Sequence, residues 1–157
     1  MSNDQYFLTP DGLKKIESQL DRLRNVRRHE VAERLHNALA EGGELGEDAE
    51  YEDAKNEQAF VEGEIARLET IVSNARIIDE DAPKDEVSLG NRVTLREKGS
   101  RTDEIYHIVG EAEADPADGK ISHRSPLGSA LLGHKVKDKV TVQAPDGELV
   151  FTIRAID

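Results

Sequence analysis

The sequence predicts an α+β protein in two parts: an antiparallel helical coiled coil, then a small antiparallel sheet carrying one short helix. Three observations lead there. Apolar residues recur in steps of three and four at Leu13, Ile16, Leu20 and Leu23, and again at Val31, Leu35 and Ala38. They recur again at Tyr51, Ala54, Val61, Ile65, Leu68, Val72 and Ala75, so each stretch carries one apolar stripe. Between them lies a glycine-broken, acid-rich turn, Gly42 to Tyr51, and striped helices joined by a short turn pack stripe to stripe. From Leu89 onward the apolar period changes to two, the period of strands.

Composition narrows the possibilities. A chain of 157 residues with high charge and few aromatics suits a solvated coiled coil beside a small domain rather than one large core. A formal net charge of -12 opposes general affinity for nucleic acid, though not a local basic face. Without cysteine there is neither a disulfide framework nor thiolate chemistry. No apolar run is long enough to span a membrane and no targeting pattern opens the chain, so a soluble, cytoplasmic protein is expected; it is also expected to act as a monomer.

Residues 1–8 form a lead-in, with Tyr6, Phe7 and Leu8 available to pack at the base of the coil. Thr9 caps the first helix, Pro10 suits its first position and Asp11 faces the positive end of its dipole. The helix is expected from Pro10 to Glu41, with a bent or loosened section at Arg27, where the stripe calls for an apolar residue. The second helix is expected from Glu47 or Asp48 to Ile78. Gly63 inside it weakens it by roughly 1 kcal/mol relative to alanine, which close helix packing would explain. At ~1.5 Å per residue, arms of roughly 30 residues reach about 45 Å.

The first domain is thus residues 1–79, with a proline-containing acidic linker at 80–88 and a second domain at 89–157. Strands are expected around Val93–Leu95, Ile105–Val109, Val140–Val142 and Leu149–Ile153, with a short one near Gly119–Ser122. Lys98-Gly99-Ser100 and Pro145-Asp146-Gly147 are the turns. Ser125, Pro126 and Gly133 mark the cap, first position and stop of a single short helix.

Few residues suggest chemistry. The five histidines are scattered, and His29 and His36, a heptad apart, lack a third metal ligand. No glycine motif cradles phosphate. The acidic turn is what remains. Basic residues occupy the shaft of the first helix, whereas Glu41 to Glu64 carries ten acids against Lys55 alone. Glu44 and Glu47, three apart, could share a hard cation such as Mg²⁺ with a partner's ligands, being too few to hold it alone. The same acids suit the start of the second helix, and composition alone favours that reading, since acids at helix starts are common.

The run Gly43-Glu44-Leu45-Gly46-Glu47-Asp48-Ala49-Glu50-Tyr51, with Ala54-Lys55, Gln58 and Phe60-Val61-Glu62-Gly63-Glu64-Ile65, resembles the signature of the bacterial GreA/GreB transcript cleavage factors. Leu8-Thr9-Pro10-Asp11-Gly12-Leu13, Ile108-Val109-Gly110, Glu113-Ala114-Asp115, Lys120-Ile121-Ser122 and Ser125-Pro126-Leu127 extend the similarity over nearly the whole chain. The resemblance implies an FKBP-like second domain that docks at the rim of the RNA polymerase secondary channel, through Ser125, Pro126 and Leu127. It implies that the coil brings Glu44 and Glu47 to the polymerase active site, where they help hold Mg²⁺ and stimulate cleavage of the backtracked RNA 3′ end. Lys55 and Tyr51 are the implied RNA contacts, DNA binding is implied within the transcription complex, and polymerase rather than this chain is the enzyme. Two departures stand out: Glu44 replaces the usual Asp, and Asp48 the usual Asn.

Those departures keep open a homologue that binds the channel and inhibits without cleavage. A prolyl isomerase is disfavoured by the second domain's two aromatics, Tyr106 and Phe151. An adaptor with an inert tip would tolerate neutralised tip acids.

Overall fold

The computed structural model describes residues 5–41 and 49–157. The chain divides into two compact units, one made of residues through Gly12 together with Ala75–Asp157, the other of Leu13–Asn74.

Helical residues run without interruption from Pro10 to Glu41, as α1 (Pro10–Arg22), a π-helical stretch (Leu23–Arg27) and α2 (Arg28–Glu41). Thr9 is the cap: its Oγ1 accepts the Gly12 N–H at 3.0 Å. The π stretch falls where the apolar stripe falters. A π-helical turn accommodates an extra residue, so it carries the stripe past Arg27 and resumes it at the buried Val31. The next described element is α3 (Ala49–Ser73). Ion pairs fix its direction: Arg24 meets Glu69, Arg28 meets Glu62, and Arg34 meets both Glu57 and Glu50. Numbers rising on one helix as they fall on the other define an antiparallel hairpin. Ile16, Leu20, Val31 and Ala38 are buried on one side of the seam, and Ala54, Val61, Ile65, Leu68 and Ile71 on the other.

Three sequence expectations are corrected here. The last helix ends at Ser73, not Ile78; Asn74 closes its final turn with backbone and side-chain bonds to the Thr70 carbonyl at 3.2 and 2.9 Å. Residues Ala75–Ile77 form β2, paired in parallel with β1 (Tyr6–Leu8), the stretch read as a lead-in. Ladder bonds to β1 replace those a longer helix would have made, and they bury Leu8 completely. Gly63 is exposed, and a Cβ there would meet nothing within 4 Å, so close packing is not why it is glycine.

The second sheet contains β3 (Arg92–Glu97), β4 (Glu104–Val109), β5 (Lys120–Ser122), β6 (Lys139–Ala144) and β7 (Gly147–Ile156). Their spatial order is β5-β4-β3-β7-β6. Neighbours are antiparallel except β4 and β5, which run parallel, so the sheet is mixed rather than purely antiparallel. Two short 3₁₀ turns return the chain between them, an Asp115–Lys120 bridge closing the second, and periodicity carries no information about such a direction. α4 (Pro126–Leu131) contributes Leu131 to a core with Val93, Leu95, Ile108, Phe151 and Ile153. Val87 belongs to that core too, its backbone bonded to Gly133 and His134, so the stretch read as a linker is packed at its end.

Candidate functional site

Glu44 and Glu47, the implied tip carboxylates, lie outside the described residues. Beside them in sequence, α3 brings Tyr51 and Lys55 together: one helical turn apart, the Lys55 ammonium sits 5.5 Å from the centre of the Tyr51 ring. Glu50, on the same turn, accepts from Arg34 Nε at 2.6 Å, and that bond holds its carboxyl below the usual range. Among the described residues no group of three or more His, Asp or Glu could hold a metal, and His29 and His36 are exposed. The oxygens of Glu44 and Glu47 suit Mg²⁺ chemically, but two carboxylates leave most of an octahedral shell to be filled from elsewhere.

Further along the hairpin is an arrangement the sequence reading missed. Glu57, its side chain only 20% exposed, accepts from Arg34 Nη1 at 2.5 Å and also pairs with Arg27. Arg27 in turn reaches Glu30 at 3.0 Å. A carboxylate thus lies between two guanidiniums that both come from the opposite helix. The signal was present: Glu57 falls in the seven-residue gap between Ala54 and Val61, where the α3 stripe calls for an apolar side chain.

Ser125, Pro126 and Leu127 begin α4. Ser125 Oγ accepts the Gly128 N–H at 3.0 Å and donates to the Ser122 carbonyl at 2.6 Å. Gly128 is required by this close approach, since a Cβ would lie 2.1 Å from the Ser122 carbonyl oxygen. The segment therefore presents an exposed Pro126 while half-buried Leu127 packs against the sheet core. Helix capping accounts for Ser125; the structure holds nothing docked against the three.

Segments from opposite ends of the chain also meet within one unit. Thr9 donates its backbone N–H and its hydroxyl to the two carboxylate oxygens of Glu113, and the main chain of Phe7 runs against Gly110. Sequence motifs 104 positions apart thereby form one junction.

Comparison with known proteins gives the class of this chain directly: it is a transcription elongation factor. Residues 6–77 match the family described as transcription elongation factor, N-terminal, and residues 82–157 match transcription elongation factor, GreA/GreB, C-term. The chain is 49% identical over 159 residues to transcription elongation factor GreA of Geobacillus kaustophilus, covering 99% of both proteins. With GreA of Acetivibrio thermocellus it shares 46% identity, covering 99% of this chain and 98% of that one. The solved structure of GreA factor homolog 1 (Gfh1) of Thermus thermophilus is 33% identical, with 98% of this chain and 99% of that one covered and a TM-score of 0.46. The chain belongs to the GreA/GreB family of transcription elongation factors. None of its described helices is long and apolar enough to cross a membrane.

Proposed function

We propose that this chain binds RNA polymerase in the cytoplasm as a monomer, enters its secondary channel and stimulates cleavage of the backtracked RNA 3′ end. The observation that carries this reading is the near-full-length likeness to GreA factors, 46% and 49% identical in the two relatives above. In this reading Glu44 and Glu47 complete a Mg²⁺ site whose remaining ligands belong to polymerase. The ion, once held, stabilises charge on the phosphodiester and lowers the pKa of a bound water. The chain's own residues bind and orient. Ser125, Pro126 and Leu127 dock the sheet domain at the channel rim, while Lys55, above the Tyr51 ring, offers a cation to the extruded RNA. The cleavage activity resides in polymerase, and this chain is its cofactor.

The test is RNA cleavage in a purified, deliberately backtracked elongation complex with Mg²⁺, comparing wild type with Glu44→Gln and Glu47→Gln. Transcript shortening by wild type, lost in either variant while polymerase binding persists, is the expected result. Binding by wild type without shortening would overturn the cleavage reading and leave inhibition of polymerase in its place.

A further inference from the structure

The seam of the hairpin changes character along its length. Toward the base it buries Ile16 and Leu20 opposite Ile65, Leu68 and Ile71, and further along Val31 and Val61. Beyond those valines, among the described residues, the buried apolar side chains are Ala38 and Ala54, with Leu35 and Tyr51 half-buried beside them. Alanine methyls bury little area and present no large knobs, so hydrophobic packing there is weak and hardly distinguishes one axial alignment from another. Between the valine and alanine layers, Glu57 sits with Arg34 at 2.5 Å and with Arg27 reaching it from the π-helical stretch.

Charge-assisted bonds between arginine and carboxylate are directional where alanine contacts are not. A slip of α2 along α3 by one turn is a movement of about 5.4 Å. It would trade one alanine contact for another and move Val31 out of its layer, and it would leave Glu57, the acid held by Arg27 and Arg34, without its two guanidiniums. Arg27 is available because the π turn places it on the seam. A surface groove lined by Leu23, Arg27, Glu57, Phe60 and Val61 among others runs along this part of the hairpin. Polar groups in coiled-coil seams are best attested as devices that choose register at a cost in stability.

We propose that Glu57, held between Arg27 and Arg34, is the positioning residue that sets the register of α2 on α3. That register fixes where each helix ends, and so how the intervening segment with Glu44 and Glu47 is presented. The functional half of this proposal rests on the cleavage reading above; the structural half does not.

The test uses the full chain, which has no cysteine and so accepts pairs cleanly. Arg28 and Glu62 face each other across the hairpin, at 2.8 and 2.9 Å. One cysteine at position 28 is combined with another at 62, or one turn out of register at Gln58 or Ala66, and cross-linking by a short bifunctional thiol reagent, which spans the reach of the arginine and glutamate side chains, is followed. With Glu57 present, 28–62 should be the dominant product. Glu57→Leu should raise the 28–58 or 28–66 product at the expense of 28–62 while circular dichroism shows the helices intact. Glu57→Gln, which keeps the shape of the side chain, should do so to a smaller degree and carries the test should the leucine variant not fold. In the backtracked complex Glu57→Leu should lower the maximal cleavage rate at least about tenfold, the scale of an ångström-level misplacement, with the half-saturating concentration unchanged. An unaltered 28–62 preference in both variants would overturn the proposal, as would a raised half-saturating concentration with an unchanged maximal rate. Should the cross-links shift while wild type itself stimulates no cleavage, the cleavage reading fails and the register role of Glu57 stands.

Discussion

The Thr9 hydroxyl donates to Glu113 Oε1 at 2.5 Å, and the Thr9 N–H donates to Oε2 of the same carboxylate at 3.1 Å. One side chain from the far end of the chain therefore satisfies both donors at the start of α1, where backbone N–H groups lack helical partners and the dipole favours an anion. Thr9 is also fully buried, so its donors have no recourse to water.

Removing the carboxylate should therefore cost more than a surface change. Glu113→Ala is expected to destabilise the chain by about 1–3 kcal/mol, because it strands buried donors rather than deleting an exposed pair. Thr9→Ser should retain most of the stability, since the hydroxyl remains. Denaturant titration measures both, and equal losses in the two variants would mean that the hydroxyl bond is not what matters.

The glycines at this junction should differ in tolerance. At Gly12 an added Cβ would lie 2.4 Å from the Glu113 side chain, which can move; at Gly110 it would lie 2.0 Å from the backbone oxygen of Phe7, which cannot without shifting β1. Gly110→Ala should lower the melting temperature more than Gly12→Ala. Gly63→Ala should act in the opposite sense. Nothing lies within 4 Å of the new methyl, and the gain in helix propensity is about 0.5–1 kcal/mol. A fall in melting temperature for Gly63→Ala would refute this.

How much of this was legible in the sequence depended on whether the information was local. Pro10–Glu41 was readable because Thr9 and Pro10 mark its start and the stripe its length. The Ser125 cap and the Gly133 stop were readable for the same reason, as Gly133 adopts a φ of 82°. The β1–β2 pair was not: each strand has three residues, too few to show a period, and Ala75 continues the α3 stripe. Pairing Tyr6 with Ala75 is a tertiary choice that overrides a helical pattern. Arg27 was noticed as a fault in one stripe, but Glu57 was not seen as its counterpart, because an ion pair across a seam shows only when the two helices are set in register.

His107 should make stability depend on pH. Burial lowers its pKa from the ordinary 6.5, and the neighbouring Arg92 lowers it further. The Gly90 carbonyl, 3.1 Å from Nε2, and the charges of Glu113 and Glu80 partly oppose the shift. The folded state thus binds this proton less tightly than the unfolded chain. Its contribution is fully present above pH 6.5 and is lost as the pH falls through the lowered folded value. Denaturation at a series of pH values should show a shallower decline below 6.5 for His107→Gln than for wild type. Parallel curves would show that the imidazole does not titrate differently on folding.

The last prediction concerns the departure at position 44, where Glu stands in place of the Asp usual in the family it resembles. Mg²⁺ is bound in near-octahedral geometry at about 2.0–2.1 Å and tolerates misplaced ligands poorly. Under the proposed function the added methylene moves a ligating oxygen relative to a site that polymerase builds. Glu44→Asp should then raise the maximal cleavage rate severalfold and leave the half-saturating concentration unchanged, since the carboxylate acts on the reacting centre rather than on docking. Titrating Mg²⁺ separates the possible origins of such a gain: a ligand effect lowers the concentration of metal needed for half-maximal cleavage, whereas a change in delivery of the hairpin does not. If the aspartate variant is slower than wild type at every Mg²⁺ concentration, the longer side chain is the one matched to this chain's own hairpin. Since the Glu57 triad is proposed to set how far that hairpin presents its acids, Glu57→Gln and Glu44→Asp would then be expected to combine non-additively.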